Sequence, residues 1–213
     1  MKGLFHPDGA FARYGAKLWD IMWLNILTVI CSIPVFTAGA AMTAMHYVLL
    51  KIFRDEEGAI TAAYFKAFRE NFKQSTIISV LFGVAAYLLI LSTGIAFALE
   101  MKWMRYLLIV VIVLVICAWN WSFVFQSRYR NTIMGTIRYS VLALAAHPFR
   151  SVMMAVLFAL PIAAVLIEPK NLILVTMIGF TLPGFVQVFL YNKVLIKLET
   201  LKEEKADETC AEE

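Results

Sequence analysis

The stretch LWDIMWLNILTVICSIPVFTAGAAMTAMHYVLLKIF, residues 18–53, decides how this chain must fold. Its 36 residues would make a helix of about 54 Å at about 1.5 Å per residue. That is too long for one crossing of an apolar core about 30 Å thick and slightly short for two. Pro34, Thr37 and Gly39 interrupt the run near its middle, and proline removes a helical donor and clashes with the preceding turn. The pattern predicts a tight helical hairpin turning near Pro34–Phe36. A re-entrant hairpin is the alternative, and it leaves the same sidedness.

Working outward, the composition agrees. Of 213 residues, 62% are hydrophobic and 16% charged, against about 45–50% and about 25% in a soluble domain. A soluble fold of this size cannot hide so much apolar surface. A water-soluble globular enzyme is therefore excluded, and an integral membrane protein is expected. Four further apolar runs are long enough to cross: Thr76–Leu99, Met104–Phe125, Val152–Ile167 with some extension, and Leu172–Leu190. Short polar links, Glu100–Arg105 and Glu168–Asn171, join them pairwise.

Charge sets the orientation. With six spans and an internal N-terminus, 16 of the 19 basic residues fall in four cytoplasmic groups, within residues 2–17, 51–73, 128–150 and 193–205. Only Lys102, Arg105 and Lys170 lie outside. Basic residues concentrate on the cytoplasmic side of membrane proteins, so this arrangement is preferred over five spans. The net charge of +4 then reports loop placement, and no nucleic-acid partner is expected. Trp19, Trp23, Trp103, Trp119 and Trp121 fall near predicted span ends, where an amphipathic indole prefers to sit.

The fold class that follows is all-α: a polytopic transmembrane bundle of about six spans with a short first hairpin. Amphipathic helices are expected in the inner interface. In Thr61–Gln74, Phe65, Phe68 and Phe72 share one helical face while Arg69 and Lys73 lie mostly elsewhere, a pattern that places rings among acyl chains and cations among anionic headgroups. Thr132–Ala146 carries a comparable stripe and ends at His147-Pro148. Residues 1–198 form one membrane-embedded domain, divisible into units 8–54, 60–127 and 131–198. Any six-span chain with an internal N-terminus gives three hairpins, so a true repeat does not follow. Residues 199–213 are charged and read as a disordered cytoplasmic tail.

Cys31, Cys117 and Cys210 are odd in number and widely spaced, which argues against a disulfide framework or a zinc site. The charged leader before Leu18 carries no convincing cleavage site, so the first apolar run is expected to stay as an anchor. Catalytic motifs are missing: no H-E-x-x-H pair, no G-x-S-x-G elbow and no glycine-rich phosphate loop. Asp20 is the single acid placed within a span, one turn from Lys17 near the inner interface, where capping or an ion pair is expected. No enzyme activity, metal or cofactor is expected.

One constellation stands out. Asn25, Thr28 and Ser32 follow i, i+3, i+7, and Gly39, Thr43 and His46 follow i, i+4, i+7. Around a turn near residues 35–36 they match in depth: 25 with 46, 28 with 43, 32 with 39. Small and polar residues let membrane helices approach closely and hydrogen-bond. The expected role is a packing seam inside the hairpin; the alternative is a polar lining for a small solute or a partner helix.

The stretch Asp20–Gln74 resembles the YesL-like family of small bacterial integral membrane proteins, a domain of unknown function. The resemblance rests on Asp20-Ile-Met-Trp-Leu-Asn25, Cys31-Ser-Ile-Pro34, Thr37-Ala-Gly39, Thr43-Ala44 before Tyr47, Arg54–Gly58 and Phe65–Gln74. It covers about a quarter of the chain, and the remainder agrees in hydropathy and length. It implies a multi-pass protein of the bacterial plasma membrane in the setting of carbohydrate import. It supplies no catalytic residues. The expected function is thus that of a non-enzymatic accessory protein in a membrane complex, its partner a carbohydrate ABC importer or another membrane protein. A small-solute transporter or channel is the alternative.

Overall fold

The structure, a computed structural model, describes residues 10–56 and 58–211 of the chain, with side chains from 15 to 200 apart from residue 57. Helices joined by short turns make up the described residues, with no strand among them. Helix α1 (Ala10–Ser32) and α2 (Ala38–Phe53) are joined by a single 3-10 turn, Val35–Thr37. Pro34 caps that turn in an extended conformation. The Thr37 hydroxyl donates to the carbonyls of Cys31 and Pro34, satisfying the end of α1 where proline stops it. The hairpin therefore turns where the proline placed it. Residue 8, the start of the first proposed unit, lies outside the described residues.

Helix α3 (Ile60–Ala98) is the main departure from the sequence pattern. The amphipathic stretch Thr61–Gln74 does not form a helix of its own but is the first half of this 39-residue rod, about 58 Å long at about 1.5 Å per residue. The physical reason is local. No glycine or proline lies between Ile60 and Phe82, so nothing ends the helix where polarity gives way to an apolar run. The second amphipathic stretch behaves otherwise. Helix α5 (Ile133–Ala146) is capped by Thr132, whose hydroxyl accepts from the Gly135 amide at 3.2 Å. It stops at His147 because Pro148 begins α6 (Pro148–Ile167), where its missing donor costs nothing.

Helix α4 (Lys102–Arg128) returns beside α3 after a turn at Leu99–Met101. Glu100 takes a left-handed conformation there. The last apolar run is not one helix. A 3-10 turn (Pro169–Asn171), one turn of α-helix, α7 (Leu172–Leu174), and a π turn (Val175–Gly179) precede α8 (Thr181–Ala211), with a bend of 51° at the break. Helix α8 carries the backbone through Ala211. Between Thr200 and Ala211 there is no proline or glycine, and Leu, Lys, Glu and Ala, all strong helix formers, predominate. Residues 212–213 lie outside the described residues.

By length and composition four helices could cross a membrane, within Val35–Phe53, Ile60–Ala98, Lys102–Arg128 and Pro148–Ile167, or five if the bent pair counts as one. Helix α1 is not among them, since Lys17, Asp20 and Asn25 dilute its apolar run.

The α1–α2 hairpin packs along only the first half of α3. The Ser75 hydroxyl donates to Thr43 at 3.0 Å. Further up, Gly39 meets Ser75 and Ser79 so closely that a Cβ there would overlap the Ser79 hydroxyl and lie 2.7 Å from the Ser75 carbonyl oxygen. Beyond Ser79, α3 runs on for 19 residues, about 28 Å at about 1.5 Å per residue. That far half, with the near half of α4, exposes a continuous apolar surface including Leu88, Ile95, Leu107 and Val110.

Two of the five tryptophans pack against other helices of the bundle. Trp121 is fully buried and donates to the Ser151 hydroxyl at 2.8 Å, and Trp119 stacks on Phe82. Buried Tyr64, Leu49, Met154, Tyr191 and Leu195 complete the core around α2.

The Gly39 contact yields a test. Replacing Gly39 with Val forces α2 away from a backbone atom that cannot rotate aside, so overpacking of about 1–3 kcal/mol is expected. Thermal unfolding in mild detergent should show a lower midpoint, and an added Ser79→Ala change should leave most of that loss in place.

Candidate functional site

The sequence constellation centres on Asn25, and the structure gives that residue a partner far along the chain. The Asn25 carboxamide nitrogen donates to the carbonyls of Val175 and Thr176, both at 2.8 Å. Its oxygen accepts from the amides of Phe180 at 2.9 Å and Thr181 at 3.0 Å. The Thr181 hydroxyl approaches the same oxygen at 3.3 Å and the Ile21 carbonyl at 3.0 Å. One side chain of α1 thus occupies the gap between the π turn and α8.

The gap has a local cause. Pro183 lacks a donor and its ring clashes with the carbonyl four residues earlier, at Gly179. The helix opens there and releases backbone groups on both sides. Asn25 and Thr181 are both fully buried. Unpaired backbone groups in such surroundings would cost free energy comparable to lost hydrogen bonds. Asparagine suits the place because its amide offers two donors and a twofold acceptor in one plane.

The other constellation residues divide among different neighbours. The Thr28 hydroxyl donates to Leu24 within α1, and Thr43 donates to Gly39 within α2. Gly39 and Thr43 face α3 through Ser75 and Ser79. His46 meets α8, its Nδ1 3.5 Å from the Tyr191 hydroxyl and its ring edge-on to the tyrosine. Ser32 is half-buried. Among the described residues, no hydrogen bond joins the expected pairs 25 with 46, 28 with 43 or 32 with 39. The polar faces are inside the molecule, but they hold the hairpin to α3 and to the broken helix. Released backbone groups with no partner of their own compete strongly for the Asn25 amide, whereas hydroxyls on a helix satisfy themselves on the preceding turn.

Sequence reading did not link Asn25 to Thr181. Pro183 in the last run was the available signal, since a proline there frees groups that some polar side chain must meet. It also placed Asp20 with Lys17, but Lys17 pairs with Asp55 at 2.5 Å instead. Helix geometry alone could not have indicated that α1 begins beside the end of α2.

At the end holding most basic side chains, Arg54 donates to Asn192 at 3.1 Å and lies 3.5 Å from Glu199. Arg128 donates to the same carboxylate at 2.9 Å. This half-buried cluster ties α2, α4 and α8 together. Burial pushes the neighbouring Tyr129 hydroxyl above its ordinary pKa, with the Glu199 charge adding to the rise and Arg128 and Arg54 opposing it, so Tyr129 stays neutral. Nearby on α3, Phe65 is exposed while Phe68 and Phe72 are half-buried, with Arg69 and Lys73 exposed beside them. Phe68 stacks on the buried Tyr64. The phenyl stripe expected to face lipid is thus partly spent on the core.

A cavity of about 620 Å³ opens at the hairpin tip, lined by residues of α1 to α4, by Phe158 and Ile162 of α6, and by Phe180 at the break. No charged residue lines it. Among the described residues, no group of three or more His, Cys, Asp or Glu side chains could hold a metal ion. Cys31 and Cys117 are free thiols.

Residues 21–93 match the model of a family described as a protein of unknown function, DUF624. The match covers about a third of the chain, from the middle of α1 to the far half of α3. No curated protein matches the chain. No solved structure matches it. The matched segment contains Asn25 and Gly39 but not the Val175–Thr181 break that Asn25 fills.

Two substitutions separate the roles of Asn25 and Pro183. Asn25→Leu leaves buried backbone groups unpaired, at about 1–3 kcal/mol for each, and should lower the unfolding midpoint in detergent strongly. Pro183→Ala lets the helix close through the gap. Combined with Asn25→Leu it should recover part of the loss, a coupling measurable as a double-mutant cycle.

Proposed function

We propose that this chain is a multi-pass membrane protein with its basic end in the cytoplasm, acting as a non-enzymatic accessory subunit in a membrane complex linked to carbohydrate uptake. The observation that carries the accessory role is the far half of the α3–α4 pair. Only 11% of the most apolar window of α3 is buried within the molecule, although α3 is the longest helix of the chain. Two apolar helices whose far halves are largely exposed offer a face to lipid and to the helices of a partner. Small residues on α3, Ala86 and Gly94, would let such a helix approach closely. The carbohydrate setting rests on the likeness of residues 20–74 to YesL-like proteins alone.

Within this reading the first hairpin is re-entrant. Its tip, Val35 and Phe36, reaches the level of Val80–Val84, short of the α3–α4 turn by about 20 Å at about 1.5 Å per residue, most of an apolar core about 30 Å thick. Exposed Ile33, Val35 and Phe36 at the tip then lie in the acyl region of the inner leaflet, and both chain ends stay inside. A second reading, a small-solute transporter, is favoured by one feature: the discontinuous last segment, since broken helices often build transport sites. Against it, Asn25 already pairs the backbone groups at that break.

Two measurements test the proposal. Tagged protein purified in mild detergent from native membranes of sugar-grown cells should bring with it the permease of a carbohydrate importer. Recovery of the protein alone would overturn the accessory role. In a background without Cys31, Cys117 and Cys210, a cysteine at Lys102 should react with an impermeant reagent in intact cells, and cysteines at Val35 and Arg130 should not. External labelling at Val35 would mean that the hairpin crosses fully.

A further inference from the structure

The cavity at the hairpin tip is large, and its walls are almost wholly apolar. Its volume, about 620 Å³, falls within the range of about 300–1,000 Å³ usual for small-molecule sites. The floor is Thr28, Ser32 and Gly39 of the hairpin. Trp119, Phe123 and Phe158 form aromatic walls, joined by contacts of about 6 Å between Trp119 and Phe123 and between Phe123 and Phe158. The Thr28 hydroxyl is already engaged with the Leu24 carbonyl, so it asks nothing of an occupant.

We infer that this cavity takes one acyl chain of a membrane phospholipid. Three observations point to that occupant. No charged side chain lines the space, and its polar side chains are only the hydroxyls of Thr28, Ser32 and Ser79, too few to replace the water around a headgroup or a strongly polar solute. The rim, with Val35, Phe36, Val80 and Val84 between half and nearly fully exposed, runs on into the exposed apolar surface of α3 through Leu88 and Leu91. An apolar chain can thus enter sideways without crossing water. Finally, Gly83 on the wall leaves the space open: a Cβ there would meet only the Trp119 ring at 3.8 Å.

The inference rests on the membrane reading above and extends it from a surface that meets lipid to a site that retains one. Phe180 lines the same cavity, and its amide is held by Asn25. An occupant therefore touches the break in the last apolar segment directly.

Native mass spectrometry of the full chain, extracted from membranes in mild detergent and washed, provides the test. The expected result is one phospholipid retained on the wild-type protein. Gly83→Leu, which fills the space without a backbone clash, should reduce that retention at least tenfold while helicity and unfolding midpoint hold. Val84→Trp is the second filling variant, used should the first fail to fold. A folded wild type that carries no lipid would overturn the site, as would retention unchanged in a folded filling variant or a partner helix recovered in place of lipid. Protein found in the aqueous fraction without detergent would instead overturn the membrane reading itself.

Discussion

A proline-broken helix deep in an apolar interior cannot leave its backbone groups bare, and the Asn25 carboxamide is what makes the break between Val175 and Thr181 tolerable here. Much of the arrangement depends on that contact. To deliver Asn25, α1 must lie against the π turn and the start of α8. That places the start of α8 beside α2, where Gly184 approaches Met45 and Leu49 and Tyr191 meets His46. The first and last helices are thereby locked to each other across about 150 residues of sequence.

The other side of the hairpin is fixed by close approach instead of by a polar staple. Gly39 has no Cβ, so α2 can settle on Ser75 and Ser79 of α3. Larger residues would hold the two helices apart and open the core around Leu49 and Tyr64. At the basic end, Arg54, Arg128 and Glu199 share one half-buried carboxylate cluster. Its charges are only partly exposed, so they position α8 more firmly than an open surface pair would. Polar staple, small-residue contact and ion cluster act at three different levels of the same bundle. Together they leave the outer part of the α3–α4 pair largely exposed.

How much of this was legible follows from the range of each interaction. Local signals read well. Pro34 and the small residues after it placed the hairpin turn. Thr132 and Pro148 bounded α5, and the apolar runs located α4 and α6. The continuity of α3 was misread because a change from amphipathic to apolar pattern looks like a boundary, although only backbone chemistry ends a helix, and Ile60–Phe82 contains no breaker. The tryptophans show the same limit. Nearness to a span end suits an indole at an interface, but Trp121 finds Ser151 of a different helix and is buried with it.

The site residues divide in the same way. Sequence by itself determined that Asn25, Thr28, Gly39, Thr43 and His46 belong on inward faces, because polar groups on an apolar helix must be enclosed; all five are buried. Which partner each would meet was decided only in three dimensions. Side chains matched in depth along a hairpin are available to one another, but a backbone gap has no other remedy, and its amides and carbonyls outcompete hydroxyls already satisfied on their own turns. A linear pattern shows that a polar group needs company. Only the packing of helices far apart in the chain determines which group supplies it.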